Sequence, residues 1–463
     1  MSSNNLGWGG IVRLGLVQAC LGAIVVLTTS TLNRVMVVEL ALPALLPGML
    51  VALHYLVQLT RPRMGYGSDV GGRRTPWIIG GMAVLAAGGV LAALGTVWMG
   101  SNPGAGIGLA VAAFMLIGVG VSASGTSLLV LLAKRVEMSR RAPAATIVWM
   151  MMIAGFAVTA GVAGKLLDPY SPERLVAVTS AVAVVAFVVT LIALYRVESA
   201  PGQDRPDMAL RRSSKAEAEV EATSSFIEAL AQLWAEPAAR RFTIFIFVSM
   251  LAYSAQDLIL EPFAGTVFGF TPGGSTQLSG VQHGGVLAGM ILVAVVGHRF
   301  AGTPLGSLRG WTVGGCLASA LALLGLVAAG LVGPAWPLKA TVFALGVANG
   351  AFSIAAIASM MRMATQGRHA REGVRMGLWG AAQAVAFGLG GLVGTAASDL
   401  ARWLIGSPGP AYASVFGFEA LLFVVSAVLA ARLAPAHESE RPASPLAPLS
   451  PRYGHPAVAA DPR

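Results

Sequence analysis

Charge is what this chain has least of. Asp, Glu, Lys and Arg make up 11% of its 463 residues, apolar types 56%, and the mean hydropathy is +0.73. A water-soluble globule cannot enclose that much apolar surface, so a soluble fold is excluded and the bilayer is the solvent. Cysteine is nearly absent: Cys20 and Cys316 each sit inside an apolar run. This excludes a disulfide framework and leaves two small buried hydrophobes. Also missing are the motifs of catalysis. There is no phosphate-binding G-x-x-x-x-G-K-[ST], no H-E-x-x-H, no paired Asp-rich prenyl-diphosphate motif, no G-x-S-x-G turn and no Cys/His cluster of metal spacing. No enzyme and no metal site are therefore expected.

What is present is a series of apolar runs. They fall at roughly 12–37, 43–60, 75–97, 106–132, 144–165, 174–196, 241–266, 280–298, 309–332, 336–362, 374–398 and 411–433, which predicts an all-α membrane protein of twelve transmembrane helices. The first run has no small-residue cleavage site and carries Asn33 and Arg34 where one would be cut, so it is expected to stay as a helix. Basic residues alternate between loops. Arg61, Arg63, Arg73, Arg74, Lys134, Arg135, Arg140, Arg141, Arg211, Arg212, Lys215, Arg240, Arg241, Arg362, Arg368, Arg371 and Arg375 fall on one side, and only Lys165, Arg174, Lys339 and Arg402 on the other. Both termini are thus expected in the cytoplasm of a multi-pass inner-membrane protein. The net charge of +10 is a topology signal with some affinity for anionic lipid, not the footprint of a nucleic-acid binder.

Shifting the chain against itself by about 230 residues brings Trp149 onto Trp379, Gly161 onto Gly391, Gly164 onto Gly394, Arg141 onto Arg371 and Gly67 onto Gly297. Two six-helix halves are expected, at 1–197 and 241–433. Between them, 198–240 reads as a cytoplasmic linker with an amphipathic helix carrying Phe226, Leu230, Leu233 and Trp234 on one face. The Pro-rich tail 434–463 is expected to be disordered.

Polar groups inside spans are costly enough to be candidates for function. Asp257 lies 16 residues past Arg241, about 24 Å along a helix, while Glu261, one turn further, should approach the far surface. Asp257 can line a cavity or pair with another helix. Asn33, Arg34 and Glu39 are placed at the far interface, because Arg34 is about 32 Å beyond Arg13; an Arg34–Glu39 ion pair is the plain expectation. His54 and His283 can satisfy interhelical hydrogen bonds, or offer a neutral imidazole to a metal such as the magnesium of a chlorin. Gln383 falls near the midplane beside a stripe of small residues. Trp149, Met151 and Trp379 can pack, or enclose a large flat apolar guest.

The loop Gly65-Tyr66-Gly67-Ser68-Asp69-Val70-Gly71-Gly72-Arg73-Arg74 has the pattern G-x-x-x-D-x-x-G-R-R. It resembles the signature loop of the major facilitator superfamily, a latch between helices. Gly65 and Gly72 would permit close approach, Asp69 would accept N–H groups of a helix end, and Arg73 and Arg74 would hold the cytoplasmic side. Val70 stands where that superfamily usually has a basic residue, which removes part of its charge relay. Longer strings, Leu27-Thr28-Thr29-Ser30-Thr31-Leu32-Asn33-Arg34-Val35-Met36-Val37-Val38-Glu39-Leu40, Arg73 to Gly81, Asp257-Leu258-Ile259-Leu260-Glu261-Pro262 and Met376-Gly377-Leu378-Trp379-Gly380, resemble the bacteriochlorophyll-delivery, PucC/LhaA-like branch. The member once labelled a bacteriochlorophyll synthase subunit is the nearest in its latch loop.

This resemblance implies the major facilitator fold, with a central cavity between parallel halves, in the intracytoplasmic membrane of a phototrophic bacterium. It implies a carrier or assembly factor with bacteriochlorophyll, or a late precursor, as bound cargo. Light-harvesting or reaction-centre subunits, or the pigment synthase, would be its partners. A proton-coupled transporter of a small solute, with Asp257 carrying the proton, and a non-catalytic docking subunit for the pigment-synthesising prenyltransferase are the alternatives.

Overall fold

The computed structural model describes residues 6–60, 73–137, 140–198, 234–300, 303–365 and 372–433. Twelve helices account for most of them: α1 Trp8–Glu39, α2 Leu45–Val57, α3 Thr75–Met99, α4 Pro103–Arg135, α5 Arg141–Leu166, α6 Pro172–Leu194, α7 Pro237–Phe268, α8 Pro272–Arg299, α9 Leu308–Val332, α10 Leu338–Thr365, α11 Glu372–Ile405 and α12 Pro408–Ala431. Eleven are long and apolar enough to cross a bilayer, and α2, with 13 residues, is a shorter apolar helix. Several starts follow from local chemistry. Asn102, Ser171 and Thr271 each precede a proline and accept the N–H three residues on, at 3.2, 3.1 and 3.0 Å.

Helix neighbours repeat with an offset of six. In the first half α1 packs on α5 and α6, α3 on α4 and α6, and α2 on α4; in the second, α7 packs on α11 and α12, α9 on α10 and α12, and α8 on α10. Each half encloses its own apolar core, one around Leu14, Ile24, Leu85 and Phe114, the other around Phe242, Phe263, Phe352 and Phe416. The halves meet where α5 packs on α8 and α2 on α11, two contacts that the same offset interchanges. The chain enters α1 and leaves α12 on one side of the bundle, here termed proximal; the opposite side is distal.

Helix α8 begins at Pro272, eight residues before the apolar run that predicted it. Its first turns, Gly273-Gly274-Ser275-Thr276-Gln277, are polar because they face α1 and α5 in place of lipid. The expected gating residues Gly65, Asp69 and Gly72, the amphipathic linker helix through Leu233 and the tail after Leu433 lie outside the described residues.

Candidate functional site: the distal seam between the halves

The far end of α1 contains two π-helical turns, Leu27–Thr31 and Val35–Glu39, separated by Leu32–Arg34. Such turns recur at functional sites. From this stretch Ser30, Thr31, Asn33 and Arg34 share one face and reach the second half. Thr31 Oγ1 lies 3.0 Å from Thr276 Oγ1, Ser30 Oγ 3.5 Å from Ser279 Oγ, and Asn33 Nδ2 donates to the Leu258 carbonyl at 2.5 Å. Arg34 donates to Glu39 and, at 2.6 Å, to the Phe270 carbonyl. The expected ion pair is present, but Arg34 is 2% exposed because α7 covers it. Glu261 corrects its expected place more sharply: it is 1% exposed, not near the surface, since the end of α1 lies over it.

Two other contacts close the distal side. The Asp399 carboxylate on α11 accepts the N–H groups of Ala44 and Leu45, at 3.0 and 2.8 Å, capping α2 across the halves. Helices α5 and α8 approach so closely that a Cβ on Gly273 would overlap the Gly164 carbonyl.

Deeper in the seam, half-buried Asp257 accepts hydrogen bonds from Gln282 Nε2 at 3.1 Å and Gln256 Nε2 at 3.4 Å. The next residue on α8, His283, is 5% exposed. Its Nδ1 lies 2.9 Å from the Ser279 carbonyl and must donate to it, and Phe156 stands edge-on at 5.0 Å. That fixes the tautomer with the lone pair on Nε2, which makes no hydrogen bond among the described residues. Asn33, Arg34, Glu39, Asp257, Glu261 and His283 thus belong to one seam.

The other expected residues do not join it. His54 Nε2 lies 2.8 Å from Gln58, just past the end of its own helix. Gln383 contacts Met250 Sδ at 3.9 Å. Met151 packs its sulfur onto Gly15 of α1, and Trp149 is half-buried on α5. Trp379 is enclosed against Phe242 in the second core, ring centres 5.0 Å apart and 1% exposed, so it packs and does not line a cavity. Two concavities stand out. One, about 740 Å³, is an apolar groove between α8, α9 and α10 bordered by Trp311, Gly314, Phe343 and Val347. The other, about 500 Å³, lies at the proximal end beside Arg73, Arg196 and Glu198. Neither is lined by His54, His283, Asp257 or Gln383.

Three acids were missed in the sequence reading. Glu419 on α12 is 1% exposed, and its position 11 residues past Pro408, about 16 Å into the span, could have revealed it. Asp399 and Glu198 act at helix starts far from them in sequence, and no local pattern marks them. Glu198 accepts the N–H groups of Arg74 (3.0 and 3.1 Å) and Thr75 (2.8 Å), and so caps α3.

Two pseudo-equivalent helical halves with a polar seam between them define a membrane protein of the major facilitator fold. The D-xylose-proton symporter has the same fold at a TM-score of 0.71, with 13% identity over 92% of this chain and 98% of that one. A structure described as a proton dependent oligopeptide transporter matches at 0.67 with 15% identity, covering 92% and 98%. Within that fold, the family model described as PUCC protein matches residues 31–437, and the chain belongs to this family. It is 52% identical over 436 residues, 94% of its length, to the "Bacteriochlorophyll synthase 44.5 kDa chain" of Rhodobacter capsulatus, covering 98% of that protein. It is 29% identical to Protein PucC of the same organism, covering 94% of each.

Proposed function

We propose that this protein is a non-catalytic carrier and assembly factor that binds bacteriochlorophyll, or a late precursor, and hands it to photosynthetic complexes in the inner membrane. The observation that carries this reading is the end-to-end similarity to a relative named for bacteriochlorophyll, in a chain without a recognised catalytic motif. The seam supplies a donor of suitable chemistry. His283 presents a neutral Nε2, its other nitrogen tied to a backbone carbonyl, as imidazoles that ligate metals do. Light-harvesting or reaction-centre subunits, or the pigment synthase, are the proposed recipients.

The test is purification of the full chain from a phototrophic host in mild detergent, with near-infrared pigment measured per protein. Wild type should carry pigment, and His283→Phe about tenfold less, the loss of roughly 1.4 kcal/mol of binding. Folded wild type without pigment would overturn the reading; equal pigment in the variant would remove His283 from it.

A further inference from the structure

Arg34 is buried between two acids that differ in their access to water. Glu39, on its own helix, pairs with it and keeps 34% of its side chain exposed. Glu261, across the seam on α7, is 1% exposed, and neither carboxyl oxygen has a hydrogen-bond partner among the described residues. The Ser30 and Ser275 hydroxyls stand beside it; Ser30 Oγ also lies 3.5 Å from Ser279 Oγ, and Ser275 donates to the Pro272 carbonyl at 3.1 Å. One turn beyond Glu261, the guanidinium rests 3.0 to 3.1 Å from where a Gly265 Cβ would stand, so a side chain there would push it away. Among the described residues, the other ionisable groups that act on this set are acids and a phenol. Toward the midplane are Asp257 and, beyond it, Glu419; toward the water are Tyr170 and Glu173.

One guanidinium therefore faces two carboxyl groups, and the buried set is neutral only when one of them holds a proton. Glu39 pairs with Arg34 and keeps contact with water, whereas Glu261 is sealed from it. A carboxylate at the site of Glu261 would have lost its water and would share a single buried cation with Glu39. We propose that Glu261 is a proton-binding site that governs the distal seam: closure takes up one proton onto Glu261, and separation of the halves releases it. On separation Arg34 leaves the Phe270 carbonyl and water reaches Glu261. The O–H bond breaks, the proton passes to water, and the resulting carboxylate shares Arg34 with Glu39. Seam motion is thereby coupled to a proton, whatever the organic cargo. Asp257, the carboxylate that the sequence favoured for this role, instead has two amide donors.

The experiment uses the full chain in lipid nanodiscs, with Cys20 and Cys316 replaced by alanine. Spin labels at Ser101→Cys and Ala335→Cys, exposed distal loop positions of the two halves, report their separation as pH is varied. In wild type the closed-to-open ratio should fall with rising pH by up to tenfold per unit, as for one proton. Glu261→Gln should stay closed with no pH slope. Glu39→Gln, which leaves Arg34 to Glu261 alone, should also stay closed and lose the slope. A pH-independent wild type, a slope that survives in either variant, or a slope abolished by Asp257→Asn but not by Glu261→Gln would overturn the proposal.

Discussion

Glu198 shows how one side chain can finish a helix that begins more than a hundred residues away. Helix α3 starts with N–H groups at Arg74 and Thr75 that have no partner within the helix, and the carboxylate just past α6 accepts both. Desolvation pushes its pKa upward, but the Thr75 and Arg74 hydrogen bonds and the Arg74 charge outweigh it and hold the group below the usual carboxylate range. A carboxyl depressed in the folded state stabilises it above the unfolded pKa of about 4.3, and that contribution fades as pH falls through the folded value. Glu198→Ala should cost about 1 kcal/mol of stability at neutral pH. Thermal unfolding in detergent should show wild type and variant converging below pH 4.3 or so; a constant gap down to acid pH would refute the role.

At the scale of elements, α8 is the most informative helix. Its hydropathy marks only the second part of it, because the first turns bury hydroxyls and glycines against α1 and α5 where lipid would otherwise be. The contrast between two of its glycines is testable. A Cβ on Gly273 would collide with α5, whereas one on Gly284 meets nothing within 4 Å. Gly273→Ala should therefore destabilise by about 1–3 kcal/mol through overpacking, and Gly284→Ala should be neutral or gain about 0.4–1 kcal/mol. Unfolding midpoints of the two variants measured side by side decide it; equal midpoints would mean that the α5–α8 contact yields. The apolar runs alone located nearly every helix to within a few residues. They failed where a face is polar for a tertiary reason, at the start of α8, and where an acid is buried by the other half, at Glu261.

For the whole molecule, the basic residues cluster at proximal helix ends, Arg73 and Arg74 before α3, Lys134 and Arg135 closing α4, Arg240 and Arg241 opening α7. With cytoplasmic loops holding the positive charge, a reporter active only outside the cytoplasm should stay silent when fused before Trp8 or after Pro435. Strong activity at either site would invert the topology. The membrane class, the number of helices and the six-plus-six repeat were determined by the sequence alone, because burial in lipid requires long apolar runs and duplication leaves a constant offset. Partnership was decided only by tertiary structure. The offset that equates Trp149 with Trp379 cannot tell that one is half-buried and the other sealed against Phe242. Nor can spacing tell that Arg34 meets an acid 227 positions away. Which helices approach depends on the summed packing of both halves, and the charge state of a buried group depends on what that packing places beside it.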